Sequence, residues 1–437
     1  MSEKKEAILK GIEDKTIKIG IIGLGYVGLP LAIAFLRSGY RVFGFEVDRE
    51  KRELLDRGRS YVADVADDEL AQAVESGAFT STDNSRVLRE CNAIIICVPT
   101  PLDKFGKPDM TYIENACKEV GENLSAGTLV SLESTTYPTT TEEFMLPIIE
   151  GESQLKEGAD FWVCYSPERV DPGNQHFRTH NTPKIVAGLG IDAQEVALAL
   201  YGQAVESVYP VSSPRVAEMA KILENTYRLV NISLINEMAL LSGRMGIDIW
   251  EVIEAAKSKP YGFQPFYPGP GIGGHCIPLD PFYLEYVAKK YSFDLTMIHT
   301  AGHINMMMPH RMTIKINSAL NRHQKSINGS KIIFMGVAYK PNVADSRESP
   351  AIKIMDEIAD KGGKVKFHDS YVPSIKTPKL GVQNSVELSS QLLSEQDCVV
   401  IATRHSNLDI GFVLENSRLV VDLANAVPVG TDTVYKL

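Results

Sequence analysis

The feature that most constrains the fold is a glycine pattern between two short apolar runs near the N-terminus. Ile17 to Ile22 is rich in β-branched residues, and the sequence GLGYVG, residues 23–28, follows it directly. A helical stretch from Leu29 to Ser38 comes next, and a second apolar run then ends in acidic residues. Strand, glycine turn, helix, strand and acid in this order predict a parallel βαβ unit that binds a dinucleotide at the helix N-terminus.

Each glycine of this turn has a predicted task. Gly23 allows the tight turn, Gly25 lets the backbone approach a pyrophosphate, and Gly28 lets the helix pack on the strand. Tyr26 and Val27 lie between the last two glycines. We therefore predict cofactor contacts at all five positions.

An acid at the end of the second strand would bond both hydroxyls of the adenosine ribose and repel a 2′-phosphate, which favours NAD over NADP. Glu46 lies directly at the strand end, and Asp48 follows two residues later. Either acid could hold the ribose, and Glu46 is preferred because of its position. Lys51 is a further candidate for a cofactor contact.

Three later apolar runs each end at small polar or acidic residues beside a proline. These residues are Pro99 and Thr100, Ser134 and Thr135, and Glu168. In a doubly wound sheet the ligand lies outside the carboxyl ends of the strands, so all of them are expected along one crevice. The alternative is that they are ordinary strand-to-helix turns, since Ser and Thr also cap helices.

A long helix is predicted from Ser213 to Arg244, because Pro214 suits a first turn and no other proline interrupts the stretch. Lys221 and Asn225 are four residues apart and share a face of this helix. A lysine on a mostly apolar stretch is more often a surface residue, so its position alone does not make Lys221 a site residue.

The stretch from Pro260 to Pro281 contains six prolines and five glycines, so it is neither helix nor central strand. Cys276 follows Gly273 and Gly274 in this stretch, and Asp280 comes four residues later. An open thiol beside a carboxylate is typical of a nucleophile with a base. The alternative is that Cys276 is a small buried hydrophobe.

A third section alternates strands and helices from Lys331 onward, which predicts a second α/β domain. Its first turn has no glycine pattern but offers Lys340 and Arg347, which suit a phosphate-bearing group. The alternative for Arg347 is a surface ion pair with Asp345 or Glu348.

Composition excludes several classes of partner. The net charge is −10 and no long basic run occurs, which argues against nucleic acid or an anionic membrane. No apolar run approaches the ~20 residues of a membrane span. Residues 1–15 are expected to form a short surface helix or a frayed arm without a secretion signal. Six scattered cysteines without metal-ligand spacing predict reduced thiols, a cytoplasmic protein and no metal site.

The fold class predicted is α/β, with two Rossmann-like doubly wound domains joined by a central helical region and a long spine helix. A chain of 437 residues is too long for one core. The expected domains are a dinucleotide-binding domain over 1–210, a helical domain over 211–325, and a second Rossmann-like domain over 326–437.

Taken together, the motifs resemble those of nucleotide-sugar dehydrogenases of the UDP-glucose/GDP-mannose dehydrogenase family. They are GLGYVGLP, CVPTPL, ESTTYP, YSPERVDPG, the Lys221–Asn225 helix, PGPGIGGHCIPLDP and YKPNVADSRESPA. The resemblance covers Ile17 to Asn425 and is strongest to the bacterial branch that oxidises UDP-N-acetylhexosamines, particularly UDP-N-acetylglucosamine 6-dehydrogenases. Pro172 stands where glucose-type members usually carry a glutamate.

This resemblance implies that two NAD+ oxidise the C6 alcohol of a UDP-sugar to a carboxylate. It implies catalytic roles for Cys276, Lys221, Asp280, Asn225, Glu168 and Thr135, with Asn225 holding Lys221. It implies that the substrate is held by Glu168, Arg169, Val170, Lys221, Asn225, Phe263, Phe266, Tyr267, Gly273 and Lys340, and that Arg347 contacts the cofactor. It also implies a homodimer through the central helical region, and a third domain that binds UDP.

Other functions remain open from sequence. A single-step NAD dehydrogenase of the hydroxyacid or 6-phosphogluconate type can share a Rossmann domain, a long helix and a catalytic lysine. A non-catalytic NAD-sensing protein could share the fold, since fold alone does not fix function. Within the UDP-sugar reading, UDP-N-acetylmannosamine and UDP-glucose are alternative substrates.

Overall fold

The structure is a computed structural model that describes residues 3–62, 64–103, 106–171, 174, 176–274, 277–428 and 431–437. Cys276 and Pro172, both singled out above, lie outside the described residues. The chain divides into two compact units, one of residues 1–224 with 282–293 and one of residues 225–281 with 294–437.

Strands and helices alternate along most of the chain. The strands are β1 Lys18–Ile22, β2 Arg41–Phe45, β3 Phe79–Thr82, β4 Ala93–Ile96, β5 Leu129–Leu132, β6 Trp162–Tyr165, β7 Lys184–Gly188, β8 Val208–Pro210, β9 Lys331–Met335, β10 Lys364–His368, β11 Ser374–Thr377, β12 Gly381–Asn384, β13 Cys398–Ile401, β14 Val420–Asp422 and β15 Val434–Lys436. The helices are α1 Glu3–Glu13, α2 Gly28–Arg37, α3 Arg49–Asp56, α4 Asp67–Glu75, α5 Thr111–Asn123, α6 Leu146–Ser153, α7 Ile191–Ala204, α8 Pro214–Met245, α9 Ile249–Lys257, α10 Asp280–Ala288, α11 Thr296–Arg322, α12 Pro350–Asp360, α13 Ser390–Ser394 and α14 Ile410–Asn416.

The first unit is built on an eight-stranded sheet of order β3-β2-β1-β4-β5-β6-β7-β8. Its first six strands are parallel and follow the 3-2-1-4-5-6 order of a dinucleotide-binding fold. The sequence predicted five of these six strands but missed β3, and it did not predict that β7 runs antiparallel to β6, with Cys164 opposite Gly188. The chain order reverses between β1 and β4, which is where such sheets bind ligands.

Both faces of this sheet are covered by helices, as a buried parallel sheet requires. Successive residues of β4 alternate between two cores: Ile95 lies in the core that includes α2 and α7, while Ile94 and Ile96 lie in the core that includes α5 and α6. Burial of one such isoleucine contributes about 2 kcal/mol. The continuous apolar runs in the sequence therefore mark strands buried on both sides.

The N-terminal segment is a docked helix, so the predicted surface helix is present and the alternative of a frayed arm is wrong. Ile8 and Ile12, four residues apart on α1, are buried in the first core. The Lys5 ammonium lies 2.5 Å from a carboxylate oxygen of both Asp192 and Glu195 on α7. Apolar packing and a double ion pair thus fix α1 to the sheet's helical layer.

The long helix predicted from Ser213 is present as α8, a helix of 32 residues. The helices α10 and α11 are separated by a turn at Ser292, whose φ is +52°. Three consecutive methionines, residues 306–308, lie on α11. Met308 is buried in the second unit's core, while Met306 is 69% exposed.

A second parallel sheet has the order β10-β9-β13-β14-β15, which confirms the predicted second α/β domain. Counted from its own first strand the order is 2-1-3-4-5, so the switch point lies between β9 and β13. The cores on its two faces include α11 with α12 on one side and α13 with α14 on the other. The hairpin β11–β12 and the strand β15 have no counterpart in the sequence prediction.

The loops after β9 and β13 are joined at this switch point by a buried carboxylate and imidazole. Asp369 accepts hydrogen bonds from the backbone N–H groups of Val337 and Ala338 and lies 3.0 Å from His405 Nε2. His405 Nδ1 accepts the N–H of Asn342 at 2.9 Å. The loop that carries Lys340 is therefore held at both ends.

Burial alone would raise the pKa of Asp369, but hydrogen bonds from His405 and backbone N–H groups outweigh it and lower the pKa to about 2. A carboxyl whose pKa is lower in the folded chain stabilises the fold above its unfolded pKa of ~3.9, and this stabilisation is lost as pH falls towards 2.

We predict that Asp369→Asn lowers the free energy of unfolding at pH 7 by about 2 kcal/mol or more. The difference from wild type should shrink steadily between pH 5 and pH 2.5 in denaturant titrations. Asp360→Asn is the matched control, because Asp360 forms an exposed ion pair with Lys379, and it should leave stability unchanged. A decrease in the free energy of unfolding of Asp369→Asn that does not depend on pH would contradict the prediction.

Candidate active site

The glycine turn after β1 contains two kinds of glycine. Gly23 has φ +90°, and a Cβ there would lie 2.7 Å from the Cys97 carbonyl oxygen. A Cβ on Gly28 would lie 2.0 Å from the Gly23 oxygen. By contrast, a Cβ on Gly25 would meet no described atom within 4 Å. The fold itself requires Gly23 and Gly28, whereas Gly25 leaves space that a bound pyrophosphate can use.

The two candidate acids after β2 have different partners. Glu46 is buried, and its carboxylate accepts the N–H of Leu24 in the glycine turn at 3.4 Å and that of Asp48 at 3.1 Å. The Asp48 carboxylate instead caps α3 by accepting the N–H groups of Glu50 and Lys51. These partners favour Glu46 as the acid beside the cofactor's ribose.

Tyr61 is an unpredicted neighbour of this turn. Its hydroxyl donates to the Leu24 carbonyl at 2.7 Å, and its ring lies 5.5 Å from the Lys51 ammonium. Burial raises the pKa of Tyr61, and the charges of Glu46 and Asp48 raise it further. No local signal in the sequence connects Tyr61 with a turn that lies 37 residues earlier. Tyr26 is 45% exposed, and Val27 directly precedes α2.

The residues after β4, β5 and β6 lie at one edge of the sheet, because these parallel strands are neighbours. The Ser134 hydroxyl donates to the Val98 carbonyl at 2.7 Å, and the Tyr165 hydroxyl donates to the Ser134 carbonyl at 3.3 Å. Ser134 thus connects the ends of all three strands. Pro99, Thr100 and Thr135 are partly or fully accessible beside it.

Glu168 is held by its own loop and by a buried lysine. Its carboxylate accepts the N–H groups of Arg169 and Val170, both at 2.8 Å, and lies 3.5 Å from Lys184 Nζ. Lys184 is buried and also pairs with buried Glu133 at 2.7 Å. Burial would lower the pKa of Lys184, but the two carboxylates outweigh it and raise the pKa, so the lysine stays charged. The sequence analysis pointed to neither Lys184 nor Glu133.

Arg169, a predicted substrate contact, has protein partners in the first unit. Its guanidinium pairs with Glu224 of α8 at 2.6 Å and donates to the Pro183 carbonyl at 2.8 Å. These two contacts anchor the loop after β6, and Val170 is partly buried in the same loop.

Lys221 and Asn225 lie one turn apart on α8 and are only 8% and 4% exposed. The amide of Asn225 donates to the Asp280 carboxylate at 2.6 Å. Asp280 begins α10 and is 4% exposed. Asn225 was predicted to hold Lys221, and the structure gives it Asp280 as a partner. A buried carboxylate with an amide donor can hold a water or accept a proton.

The glycines before Cys276 pack closely on the loop that carries Lys340. A Cβ on Gly273 would lie 2.7 Å from the Tyr339 Cβ, and one on Gly274 would lie 3.1 Å from the Tyr339 ring. The N–H of Gly274 donates to the Arg347 carbonyl at 3.3 Å. A side chain at Gly273 would collide with Tyr339 and one at Gly274 would crowd the Tyr339 ring, so close packing favours glycine at both positions.

The aromatic residues of the same stretch differ in how open they are. Phe263 is 39% exposed. Phe266 packs edge-on against Tyr227, with ring centroids 5.6 Å apart. Tyr267 stacks on Trp250 of α9 at 5.8 Å and donates its hydroxyl to Glu254. Phe263 and Tyr267 therefore both keep exposed surface that a ligand could contact, since Tyr267 is 43% exposed despite its partners.

The two predicted cations of the third section have different surroundings. Lys340 is partly buried in the loop after β9. Arg347 forms a two-bond pair with Asp345 at 2.6 and 2.9 Å, and its side chain is 48% exposed. Of the two possibilities raised for Arg347, the structure shows the ion pair with Asp345.

Three further observations concern the described residues as a set. Cys91, Cys97, Cys117, Cys164 and Cys398 are buried free thiols. No grouping of three or more His, Cys, Asp or Glu side chains among the described residues could hold a metal ion. None of the helices described is long and apolar enough to cross a membrane.

Comparison with known proteins matches three family models along the chain. They are the NAD binding domain of the UDP-glucose/GDP-mannose dehydrogenase family at residues 17–210, its central domain at 215–307 and its UDP binding domain at 333–428. The glycine turn and Glu46 lie within the residues that the first of these models matches.

Relatives with different named substrates are similar to this chain. A UDP-N-acetyl-D-glucosamine 6-dehydrogenase of Pseudomonas aeruginosa is 36% identical over 82% of this chain and 84% of the relative. A UDP-N-acetyl-D-mannosamine dehydrogenase of Pyrococcus horikoshii is 36% identical over 89% and 90%. A solved structure named as the UDP-D-ManNAc dehydrogenase of P. horikoshii superposes with a TM-score of 0.87 at 33% identity, covering 96% of this chain and 99% of that one. The chain belongs to the UDP-glucose/GDP-mannose dehydrogenase family, and it carries that family's NAD-binding domain.

Proposed function

We propose that this protein oxidises the C6 hydroxyl of UDP-N-acetylglucosamine to the carboxylate, in two steps that use two NAD+. Family membership and the similarity to a UDP-N-acetyl-D-glucosamine 6-dehydrogenase support this proposal. Pro172, where glucose-type members usually carry a glutamate, argues against UDP-glucose. UDP-N-acetylmannosamine is the second candidate, because a relative named for it is equally similar in sequence.

The observation that carries the proposal is the hydrogen bond between Asn225 and Asp280. It fixes a buried carboxylate four residues after Cys276 in sequence, at the end of the proline- and glycine-rich stretch. A carboxylate removed from bulk water and held by an amide can accept a proton from water or substrate. Two-step oxidation needs such a group twice, once for the alcohol and once for the hydrolytic water.

In the first oxidation, NAD+ supplies the hydride acceptor when it is bound. Asp280 takes the hydroxyl proton through a water molecule while the C–H bond breaks. Oxyanion character develops on the substrate oxygen, and the ammonium of Lys221 stabilises it in a site shielded from water. The product of this step is the C6 aldehyde.

In the second oxidation, the Cys276 thiolate adds to the aldehyde carbon and forms a thiohemiacetal. Loss of the hydroxyl proton to water and of a hydride, for which the second NAD+ would be the acceptor, turns this adduct into a thioester. Water held by Asp280, Glu168 and Thr135 then attacks the thioester carbon, which releases the acid and regenerates the thiol. The covalent bond also keeps the reactive aldehyde in the site.

Separate parts of the chain hold the two ligands in this proposal. The turn of Gly23 to Gly28, with Glu46, Lys51, Pro99 and Thr100, holds NAD. Other residues hold the UDP-sugar: they are Glu168, Arg169, Val170, Lys221, Asn225, Phe263, Phe266, Tyr267, Gly273 and Lys340. Arg347 already pairs with Asp345, so a contact with the cofactor would require exchange of that pair. We retain the division into domains at 1–210, 211–325 and 326–437 as part of the proposal.

We also propose a homodimer formed through the central helical region. Apolar side chains that are at least 42% exposed recur every three to four residues along one stripe of α8. The spacing is longer only once, between Tyr227 and Leu234. The side chains of the stripe are Val216, Met219, Leu223, Tyr227, Leu234, Met238, Leu241 and Met245. An apolar stripe of this length on an exposed helix is typical of a protein–protein interface.

A reducing compartment such as the cytoplasm suits this chain. The cysteines that the structure describes are unpaired thiols buried in the cores. Disulfides would be expected to form and persist in an oxidising compartment, whereas isolated buried thiols are typical of reducing ones.

The sugar specificity predicts a ranking of substrates. With saturating NAD+, kcat/KM should be highest for UDP-N-acetylglucosamine, lower for UDP-N-acetylmannosamine and lowest for UDP-glucose. Initial rates at 340 nm with mass identification of the acid measure this ranking. A higher kcat/KM for either of the other two sugars would overturn the assignment of the sugar while leaving the reaction class intact.

Alanine is predicted to weaken NAD+ binding at Gly25 and to destabilise the fold at Gly28. Gly25→Ala should leave the free energy of unfolding within about 0.5 kcal/mol of wild type, because its Cβ meets no described atom, yet raise the Kd for NAD+ at least about 10-fold. Gly28→Ala should instead destabilise the fold by about 2 kcal/mol or more, because its Cβ would overlap the Gly23 oxygen. Calorimetry and denaturant unfolding separate the two effects. Unchanged NAD+ affinity in Gly25→Ala would contradict this placement of the cofactor.

A further inference from the structure

Glu218 is a fully buried carboxylate on α8 that accepts three hydrogen bonds from one segment of the described chain. It is 0% exposed, and it accepts the N–H of Thr139 at 2.6 Å, the N–H of Thr141 at 2.9 Å and the hydroxyl of Thr141 at 2.7 Å. Burial raises the pKa of Glu218 to about 7, and the three donors act in the opposite direction by favouring the ionised form. A carboxylate this deeply buried is costly unless its partners are fixed.

The segment it holds follows β5 and is strained. Thr139 has φ +84°, a left-handed conformation that a β-branched residue rarely adopts. The hydrogen bonds to Glu218 begin at this residue, so the carboxylate stabilises a turn that the local sequence disfavours. The Thr140 hydroxyl closes the same turn by donating to the Tyr137 carbonyl at 2.7 Å.

Thr135 lies between two anchors of this segment. At one end the Ser134 hydroxyl donates to the Val98 carbonyl at the end of β4. At the other end Glu218 holds Thr139 and Thr141. Between them, buried Tyr137 packs in one cluster with Ile222 of α8. The path of residues 134–141 is therefore determined from both sides.

Glu218 is also one helical turn before Lys221, so the two side chains leave α8 on the same side. A single carboxylate thus ties the segment of Thr135 to the part of the helix that carries Lys221. In the proposed reaction Thr135 helps to hold a water and Lys221 stabilises an oxyanion. Without the contacts of Glu218, these two side chains could shift relative to each other. Displacement by 1 Å of a group in an active site can cost up to about 100-fold in rate.

We propose that Glu218 is a positioning residue: it holds the 134–141 segment against α8 and thereby sets the position of Thr135 relative to Lys221. The proposal rests on the reaction assigned above for the roles of Thr135 and Lys221. The anchoring itself depends only on the contacts of Glu218.

Glu218→Gln tests the proposal with little change in volume. The amide nitrogen of glutamine cannot accept an N–H, so at least one of the donors from Thr139 or Thr141 loses its partner. We expect kcat for the preferred UDP-sugar to fall roughly 10- to 100-fold, while the KM values for UDP-sugar and NAD+ change less than about 3-fold. Amide hydrogen exchange in peptides covering 134–141 should become at least about 10-fold faster, without a similar change in the peptides of β1 and β4.

Arg215→Ala is the matched control, because Arg215 joins the same helix to Glu142, the residue directly after the 134–141 segment, through an exposed pair at 2.6 Å. It should leave both kcat and the exchange of 134–141 as in wild type. Thr141→Val is a milder test if Glu218→Gln does not fold, since it removes only the hydroxyl donor. It should give a smaller fall in kcat with the same unchanged KM values.

Exchange of 134–141 in Glu218→Gln that equals wild type would overturn the anchoring. Faster exchange with unchanged kcat would overturn the positioning role and leave Glu218 a structural residue. If wild type oxidises no UDP-sugar, the proposed function fails, and the exchange measurement alone then decides whether Glu218 anchors the segment.

Discussion

The hydrogen bond from Asn225 to Asp280 is the interaction on which the functional interpretation depends. It joins the middle of a long helix to the first residue of another helix, and both side chains are almost fully buried. Buried polar groups are expensive without a partner, and here each is the other's partner. In the proposed reaction, a carboxylate fixed in this way would keep its orientation while it exchanges protons with water twice. The proposed chemistry therefore depends on a group that the second unit's fold places before any ligand binds.

Glycine has separate physical roles in the turn after β1 and in the stretch before Cys276. At Gly23 and Gly28 the neighbouring backbone leaves no room for a Cβ, so these residues make the turn possible. At Gly25 a Cβ would meet no described atom within 4 Å, and in the proposed function this space holds the cofactor's pyrophosphate. Gly273 and Gly274 lie against Tyr339, so the stretch before Cys276 is positioned by the loop that also carries Lys340. Packing thus connects two segments, carrying Gly273 and Lys340, to which the family resemblance assigns contacts with the same UDP-sugar.

What could be predicted from the sequence was encoded locally. The βαβ unit, the glycine turn, Glu46 at the strand end and the start of α8 at Pro214 all depend on residues within about one element of each other. The partner of Asn225 lies 55 residues away, and that of Thr139 lies 79 residues away. Lys184, Glu133, Tyr61 and Glu218 have ordinary local sequence contexts and gain their meaning only from tertiary contacts. The antiparallel direction of β7 likewise depends on its pairing with β6 and not on the composition of β7.

The number of NADH molecules formed for each UDP-sugar consumed tests the proposed chemistry most directly. An alcohol can give up a hydride without a covalent step, but an aldehyde offers no good hydride until a nucleophile adds to it. Wild type should therefore form two NADH and one acid per UDP-N-acetylglucosamine, and Cys276→Ala should form at most one NADH and stop at the aldehyde. A single NADH per sugar in wild type, or two-NADH turnover by Cys276→Ala, would contradict the thioester route.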